Sequence, residues 1–155
     1  MYKFLLEPQK TDRIESKHRK IVTDIPSPET IDTLRQCIKY EPNSMNNQLP
    51  IVWDSAKDYQ VFDKSGNCWI DFTSTIFVTN VGHSHPKVCS AIKNAVDNCL
   101  LNAYYYPTEL RASFAKLIVS IAPEDMDKVL FLSTGSEAVE ASLKMARLFS
   151  KKTLL

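Results

Sequence analysis

The chain has 155 residues, 44% hydrophobic and 24% charged, the balance of a globular protein rather than a disordered one. Nineteen Lys and Arg against eighteen Asp and Glu leave a formal net charge of +1, so no global field recruits nucleic acid or an anionic membrane. No apolar run is long enough to cross a bilayer, residues 1–20 mix acids and bases too freely for a targeting peptide, and a cytoplasmic protein is expected.

Residues 1–20 are charged and aperiodic and are expected to be loosely held. Ser27 then reads as an N-cap with Pro28 at the first helical position, and Ile31, Leu34 and Ile38 follow at helical spacing until Pro42 stops the run. Residues 43–50 are polar and turn-like. From Ile51 the period changes to β: IVW, YQVFD and CWIDF, the last two flanking a turn that holds Gly66, one of only three glycines. The β-branched run TSTIFVTNV, residues 73–81, fits an extended segment. The motif GHSHP opens a further helix with Pro86 in its first turn and Val88, Ile92, Ala95, Val96 and Cys99 on one face, ending near Leu101. Thr108 can cap the next helix, whose apolar face is Leu110, Phe114, Leu117, Ile118 and Ile121.

Residues 128–147, KVLFLSTGSEAVEASLKMAR, give a short apolar strand, a tight turn and a helix beginning at Glu137. Ser133, Thr134 and Ser136 bring three hydroxyls to the helix N-terminus, where unpaired N–H groups and the peptide dipoles favour an anion. The same residues also suit a plain N-cap, and neither a P-loop pattern nor a GxGxxG fingerprint is present. Spacing alone leaves cap and phosphate cup both open.

Other candidates are weaker. Cys37, Cys68, Cys89 and Cys99 form no CxxC pair and are expected to be reduced thiols, Cys89 and Cys99 within a helix. His83 and His85 lack the further ligands that a metal site requires, so His85 or Ser84 is expected to satisfy N–H groups of the helix at Pro86. Tyr104, Tyr105 and Tyr106 cannot all face one way, so one is expected at the surface, an interface or a ligand site.

Taken in order, VWD (52–54), VFDKSGN (61–67), WIDF (69–72), GHSHPKV (82–88), STGSEAVE (133–140) and KMAR (144–147) resemble the N-terminal part of the class III aminotransferases, over about residues 51–150. These are pyridoxal 5'-phosphate (PLP) enzymes of the aspartate-aminotransferase fold, type I. The resemblance implies an α/β chain. Residues 21–85 would form a small N-terminal unit of a helix plus antiparallel strands, and residues 86–155 the start of a parallel-sheet cofactor domain.

It further implies that Thr134, Gly135 and Ser136 hold the cofactor phosphate, and that Ile76 is a candidate substrate contact. Many members of the family carry Gly near 74 and 75, where this chain has Ser74 and Thr75. The expected partners are a small-molecule amino donor and a 2-oxo acid acceptor, with homodimerisation of the complete enzyme, no nucleic acid, no membrane and no metal. Family members continue well beyond this length to supply the lysine that holds the cofactor covalently. No catalytic residue is therefore assigned here, and the chain alone is expected to be inactive. A PLP-dependent lyase or aminomutase of the same family, and a non-catalytic fragment or dimerising partner, remain as alternatives.

Overall fold

The computed structural model describes residues 4–45, 48–98 and 105–152. They belong to two compact units, Met1–Cys99 and Leu100–Leu155.

The first unit is built on a five-stranded antiparallel sheet of β1 (Ile14–Glu15), β2 (Lys20–Ile21), β3 (Ser55–Lys57), β4 (Gln60–Phe62) and β5 (Cys68–Ile70), in the order β1-β2-β5-β4-β3. β4 and β5 are the expected hairpin, with Val61 opposite Trp69, and Gly66 in its turn sits at φ +86°, a conformation costly for any side chain. The run at residues 51–53 stays outside the ladder. β3 starts two positions later than that run ends, at polar Ser55, as suits an edge strand.

Residues 4–20 depart from the expectation of a loose segment. Ile14 and Glu15 pair with Ile21 and Lys20, Lys20 pairs with Cys68, and Gln9 exchanges backbone hydrogen bonds with Ile25 at 2.8 and 3.1 Å. The partner that orders them lies far along the chain, which local periodicity does not register.

Among the described residues few apolar side chains are fully enclosed. Ile21, Leu34, Val61 and Cys68 are buried, and so is a polar cluster around Asn67, which is 0% exposed. The Asn67 carbonyl oxygen accepts from the Val22 and Thr23 N–H groups at 2.7 and 3.2 Å, while its amide donates to Thr23 Oγ1 at 2.7 Å and Asp63 Oδ2 at 2.8 Å. Asp63 Oδ1 accepts from the N–H groups of Ser65 and Asn67, closing the turn. Ser27 is the residue before the 3-10 turn Pro28–Thr30, but its hydroxyl does not cap it; it donates to Asp63 Oδ2 at 3.3 Å instead. Helix α1 (Ile31–Tyr40) follows, with Leu34 as its buried residue.

Beyond β5 the chain does not extend as its β-branched composition suggests. Residues Ser74–Phe77 form a single helical turn, α2, with positive φ at all four positions. The Asp71 carboxylate, its side chain 2% exposed, holds the approach to this turn. It accepts from the Thr73 N–H (2.9 Å), the Thr73 hydroxyl (2.7 Å) and the Thr75 N–H (3.2 Å), and pairs with His83 Nε2 at 2.8 Å. Burial raises the Asp71 pKa, but the hydrogen bonds from Thr73 and His83 and the backbone N–H groups outweigh it and bring the carboxyl down to about 2. Asp58 and His83 form an antiparallel bridge, and Gly82 (φ +89°) passes so close to Asp58 that a Cβ there would stand 3.2 Å from its Cα.

Helix α3 (Pro86–Asp97) opens with Pro86, as expected. Neither His85 nor Ser84 caps it: the Ser84 hydroxyl donates to the Ala56 carbonyl at 2.9 Å, and His85 Nδ1 is buried without a partner. Cys37, Cys68 and Cys89 are free thiols; Cys99, Leu101 and Tyr104 lie outside the described residues.

The second unit contains α4 (Glu109–Ile121) and α5 (Gly135–Ser150). The Thr108 hydroxyl caps α4 by accepting from the Arg111 N–H at 3.2 Å. Phe114 and Phe131 stack with ring centroids 5.4 Å apart. Residues 128–132, expected as a strand, form no ladder among the described residues. A parallel strand needs neighbours to pair with, and without them its backbone groups face water. Leu110, Ile121, Leu130, Val139, Leu148 and Phe149 are all exposed. No helix among the described residues is long and apolar enough to cross a membrane.

Two outcomes follow from the first unit's polar contacts. Asn67→Ala leaves the Val22 and Thr23 N–H groups without partners and takes one hydrogen bond each from Thr23 Oγ1 and Asp63, so urea denaturation should show a loss of about 3 kcal/mol or more; a loss below about 1 kcal/mol would mean the amide anchors nothing. For Asp71, a folded-state pKa below the usual carboxylate value means stabilisation that is present above about pH 4 and lost as the pH falls toward 2. The stability difference between the native chain and Asp71→Asn should therefore shrink across that window, and a constant difference would contradict the clamp.

Candidate functional site

Helix α5 starts where the sequence places the phosphate turn. Thr134 is its N-cap, extended at φ -140°, and its hydroxyl accepts from the Glu137 N–H at 3.1 Å. Glu137 reaches back, and its Oε2 accepts from the Ser133 N–H at 3.0 Å. This is close to a capping box, in which a Glu at the third helical position returns to the residues before the helix. The cap reading and the anion reading thus coexist on the same residues. The Thr134 oxygen lone pair is used by the cap, while its O–H remains able to donate.

What the cap leaves free is a donor set. Among the described residues the N–H groups of Gly135 and Ser136 and the Ser136 hydroxyl have no hydrogen-bond partner, and space is open where a Gly135 Cβ would stand. These groups sit at the positive end of a 16-residue helix. They fit an oxyanion such as a phosphate ester in both charge and hydrogen-bonding sense. Glu137 works against it, because its carboxylate already lies at the same helix end.

A cleft of about 520 Å³ runs along the flank of α5, lined by Phe131, Leu132, Ser133, Glu137, Glu140 and Lys144. Thr134, Gly135 and Ser136 do not line it, so the donor set is presented at the helix tip and not inside the cleft. Glu140 and Lys144 pair across one helical turn at 2.8 Å, and the hydrogen bond and charge of Lys144 hold the Glu140 carboxyl below its usual value. Both side chains are well exposed, so the pair adds little stability.

Ile76 lies in the first unit, at the crest of α2, with its side chain 78% exposed. Thr75 and Ile76 have φ/ψ of 53°/44° and 57°/59°, the left-handed helical region. For residues with a Cβ this costs roughly 1–2 kcal/mol each, and a β-branched residue there is an outlier. Glycine avoids that cost, and this chain carries Ser74 and Thr75 instead. Beside the turn is a cavity of about 280 Å³ whose lining includes Asp58, Asp71, Ser74, Asn80 and His83.

The structure brings Thr134, Gly135 and Ser136 together at one helix end, with Ile76 in the other unit. His83 points at Asp71 and edges onto the Trp53 ring, whose centroid lies 6.0 Å away; His85 does not join it. No group of three potential metal-ligating side chains occurs among the described residues. Tyr105 and Tyr106 are exposed and pack edge to face. Sequence reading missed the Asp71–His83 pair. Its one visible trace is the Asp-x-Thr-x-Thr spacing of residues 71–75, a carboxylate placed to accept from the N–H groups two and four residues on.

Comparison with known proteins agrees with the motif order. Residues 41–153 match the family Aminotransferase class-III. The acetylornithine aminotransferase of Methanopyrus kandleri is 35% identical over 112 residues, 72% of this chain and 28% of that protein. The ornithine aminotransferase of Oceanobacillus iheyensis is 38% identical over 99 residues. Among solved structures, taurine:2-oxoglutarate aminotransferase from Bifidobacterium kashiwanohense, in complex with PLP and glutamate, superposes on 79% of this chain and 28% of its own with TM-score 0.70 and 25% identity. Acetylornithine aminotransferase from Elizabethkingia anophelis gives TM-score 0.67 at 30% identity, over 78% of this chain and 31% of its own. The chain spans between 24% and 31% of the length of these relatives, and within that span it belongs to the class III aminotransferases.

Proposed function

We propose that this chain is the N-terminal part of a PLP-dependent transaminase, which moves an amino group between an amine or amino acid and a 2-oxo acid. Residues 86–155 begin the cofactor domain in this reading, and the complete enzyme is a cytoplasmic homodimer. When bound, PLP supplies an electron sink that acidifies the substrate α-proton. The residues of this chain serve it by position. Thr134 and Ser136 donate hydroxyl hydrogens to the phosphate, and the Gly135 and Ser136 N–H groups complete the cup. Ile76 offers an apolar surface to the substrate.

The observation that carries this reading is the unpartnered donor set at the α5 N-terminus, left free by a cap that already orders the turn. A second reading, a segment that docks against further polypeptide, is favoured by the exposed apolar residues of α4 and α5 and by the unpaired residues 128–132. The two are compatible where that polypeptide completes the cofactor domain.

A helix end contributes about 0.3–1 kcal/mol to a bound anion, up to about 2 in a partly buried site. Weak binding by the chain itself is therefore expected, with Kd in the millimolar range or weaker. Pyridoxine 5'-phosphate is a suitable probe, because it lacks the aldehyde that reacts with surface lysines. Its titration should shift the amide resonances of Gly135 and Ser136, pyridoxine without phosphate should not, and Thr134→Val with Ser136→Ala should remove the response. Equal shifts from both compounds would sink the phosphate assignment.

Glu137 supplies an independent sign. Glu137→Gln keeps an oxygen for the Ser133 N–H but removes a negative charge from the helix end, so the same titration should show binding about twofold to fivefold tighter. Unchanged or weaker binding would place the anion away from this turn.

A further inference from the structure

We propose that Asp71 and His83 are positioning residues, which hold Ser74–Phe77 in its left-handed turn and thereby present Ile76 at a fixed place on the surface. Three observations combine. The turn has φ of 48°, 53°, 57° and 66° at Ser74, Thr75, Ile76 and Phe77, none of them glycine. Left to itself, a segment with β-branched Thr75 and Ile76 favours extended backbone, so something outside the turn must over-determine its conformation.

The second observation is the clamp. Asp71 Oδ2 accepts from the Thr75 N–H inside the turn and from His83 Nε2 behind it, while Oδ1 takes the Thr73 N–H and hydroxyl just ahead. His83 is itself fixed, since its N–H and C=O bond Asp58 in both directions at 2.7 and 2.9 Å and its ring meets Trp53. A rigid chain of contacts therefore runs from the edge of the sheet to the middle of the turn.

The third is what the turn displays. Phe72, Ile76, Phe77 and Val78 are 90%, 78%, 80% and 75% exposed, so packing does not hold the turn in place. Its restraint comes from the carboxylate and from the backbone bonds that Phe77 and Val78 donate to Thr73 and Ser74. Glycine at 75 would relieve one of the four strained positions and lessen the need for outside help. In this chain Thr75 transfers the task to Asp71 and His83, which makes these two residues determinants of where Ile76 stands. The consequence for substrate selection rests on the transaminase reading above; the clamp itself does not.

Amide hydrogen exchange on the chain tests the clamp without cofactor or substrate, so its failure is separable from failure of the phosphate assignment. In Asp71→Asn, exchange at Thr75, Phe77, Val78 and Thr79 should accelerate about tenfold or more while the Val61 and Trp69 amides of the sheet stay protected. Adding Thr75→Gly should bring the turn amides back by about threefold or more toward the native rates, because it relieves one of the four strained positions. Should Asp71→Asn not fold, His83→Gln replaces it and is expected to show the same local loosening and the same rescue by Thr75→Gly. Unchanged exchange in the turn, loosening shared equally by the sheet amides, or no rescue by glycine would each overturn the proposal.

Discussion

The first unit depends on one buried amide. Asn67 is fully enclosed, and its side chain is used in both senses, accepting from two backbone N–H groups of the strand-to-helix connection and donating to Thr23 and Asp63. Aspartate would lose the donor and face Asp63, and leucine would strand the two N–H groups and take a hydrogen bond from Thr23 Oγ1 and from Asp63. The apolar core is small, so hydrophobic burial alone specifies little about how the connection between β2 and α1 lies on the β4–β5 hairpin. Directional hydrogen bonds supply what is missing. With residues 22 and 23 fixed against Asn67, β5 has one register, and that register decides where Asp71 falls.

The polar contacts therefore form a sequence of dependencies along the chain. Asn67 fixes the start of β5, and the Asp71 N–H donates to the Tyr59 carbonyl at the end of it, which orients the carboxylate toward Thr73, Thr75 and His83. The Asp58–His83 bridge brings the chain back to the edge of the sheet, and Gly82 is required there because a side chain would meet the Asp58 backbone. Each step places the next polar group within bonding distance. Remove an early one and the later geometry has no reference.

How much of this could be read from residues alone depends on the range of the interaction. The period of Ile31, Leu34 and Ile38 marks α1, Thr108 and Thr134 announce the caps of α4 and α5, and the Gly66 turn marks the hairpin, because each is local. Ile14 and Glu15 carry no strand signal of their own and become strand only through a partner elsewhere. The left-handed turn was hidden for a different reason: β-branched residues normally report extended backbone, and here hydrogen bonds to the Asp71 carboxylate override that preference. Likewise the pairing of Asp71 with His83 spans a turn whose shape propensity does not suggest.

The two candidate functional features are held by opposite means, and this bears on what each can do. The α5 turn is ordered by its own cap, an exposed arrangement that leaves further donors pointing outward at no conformational cost to an incoming anion. Its weakness is electrostatic, since Glu137 already answers the positive helix end, and a phosphate gains only what remains. Ile76 stands on a turn whose backbone is costly and whose support is buried, so its position is well defined only while Asp71 stays ionised and bonded. One feature offers ready but shallow recognition. The other offers a placed apolar surface whose accuracy is inherited from a carboxylate several residues away, and a substitution at that carboxylate alters Ile76 without touching it.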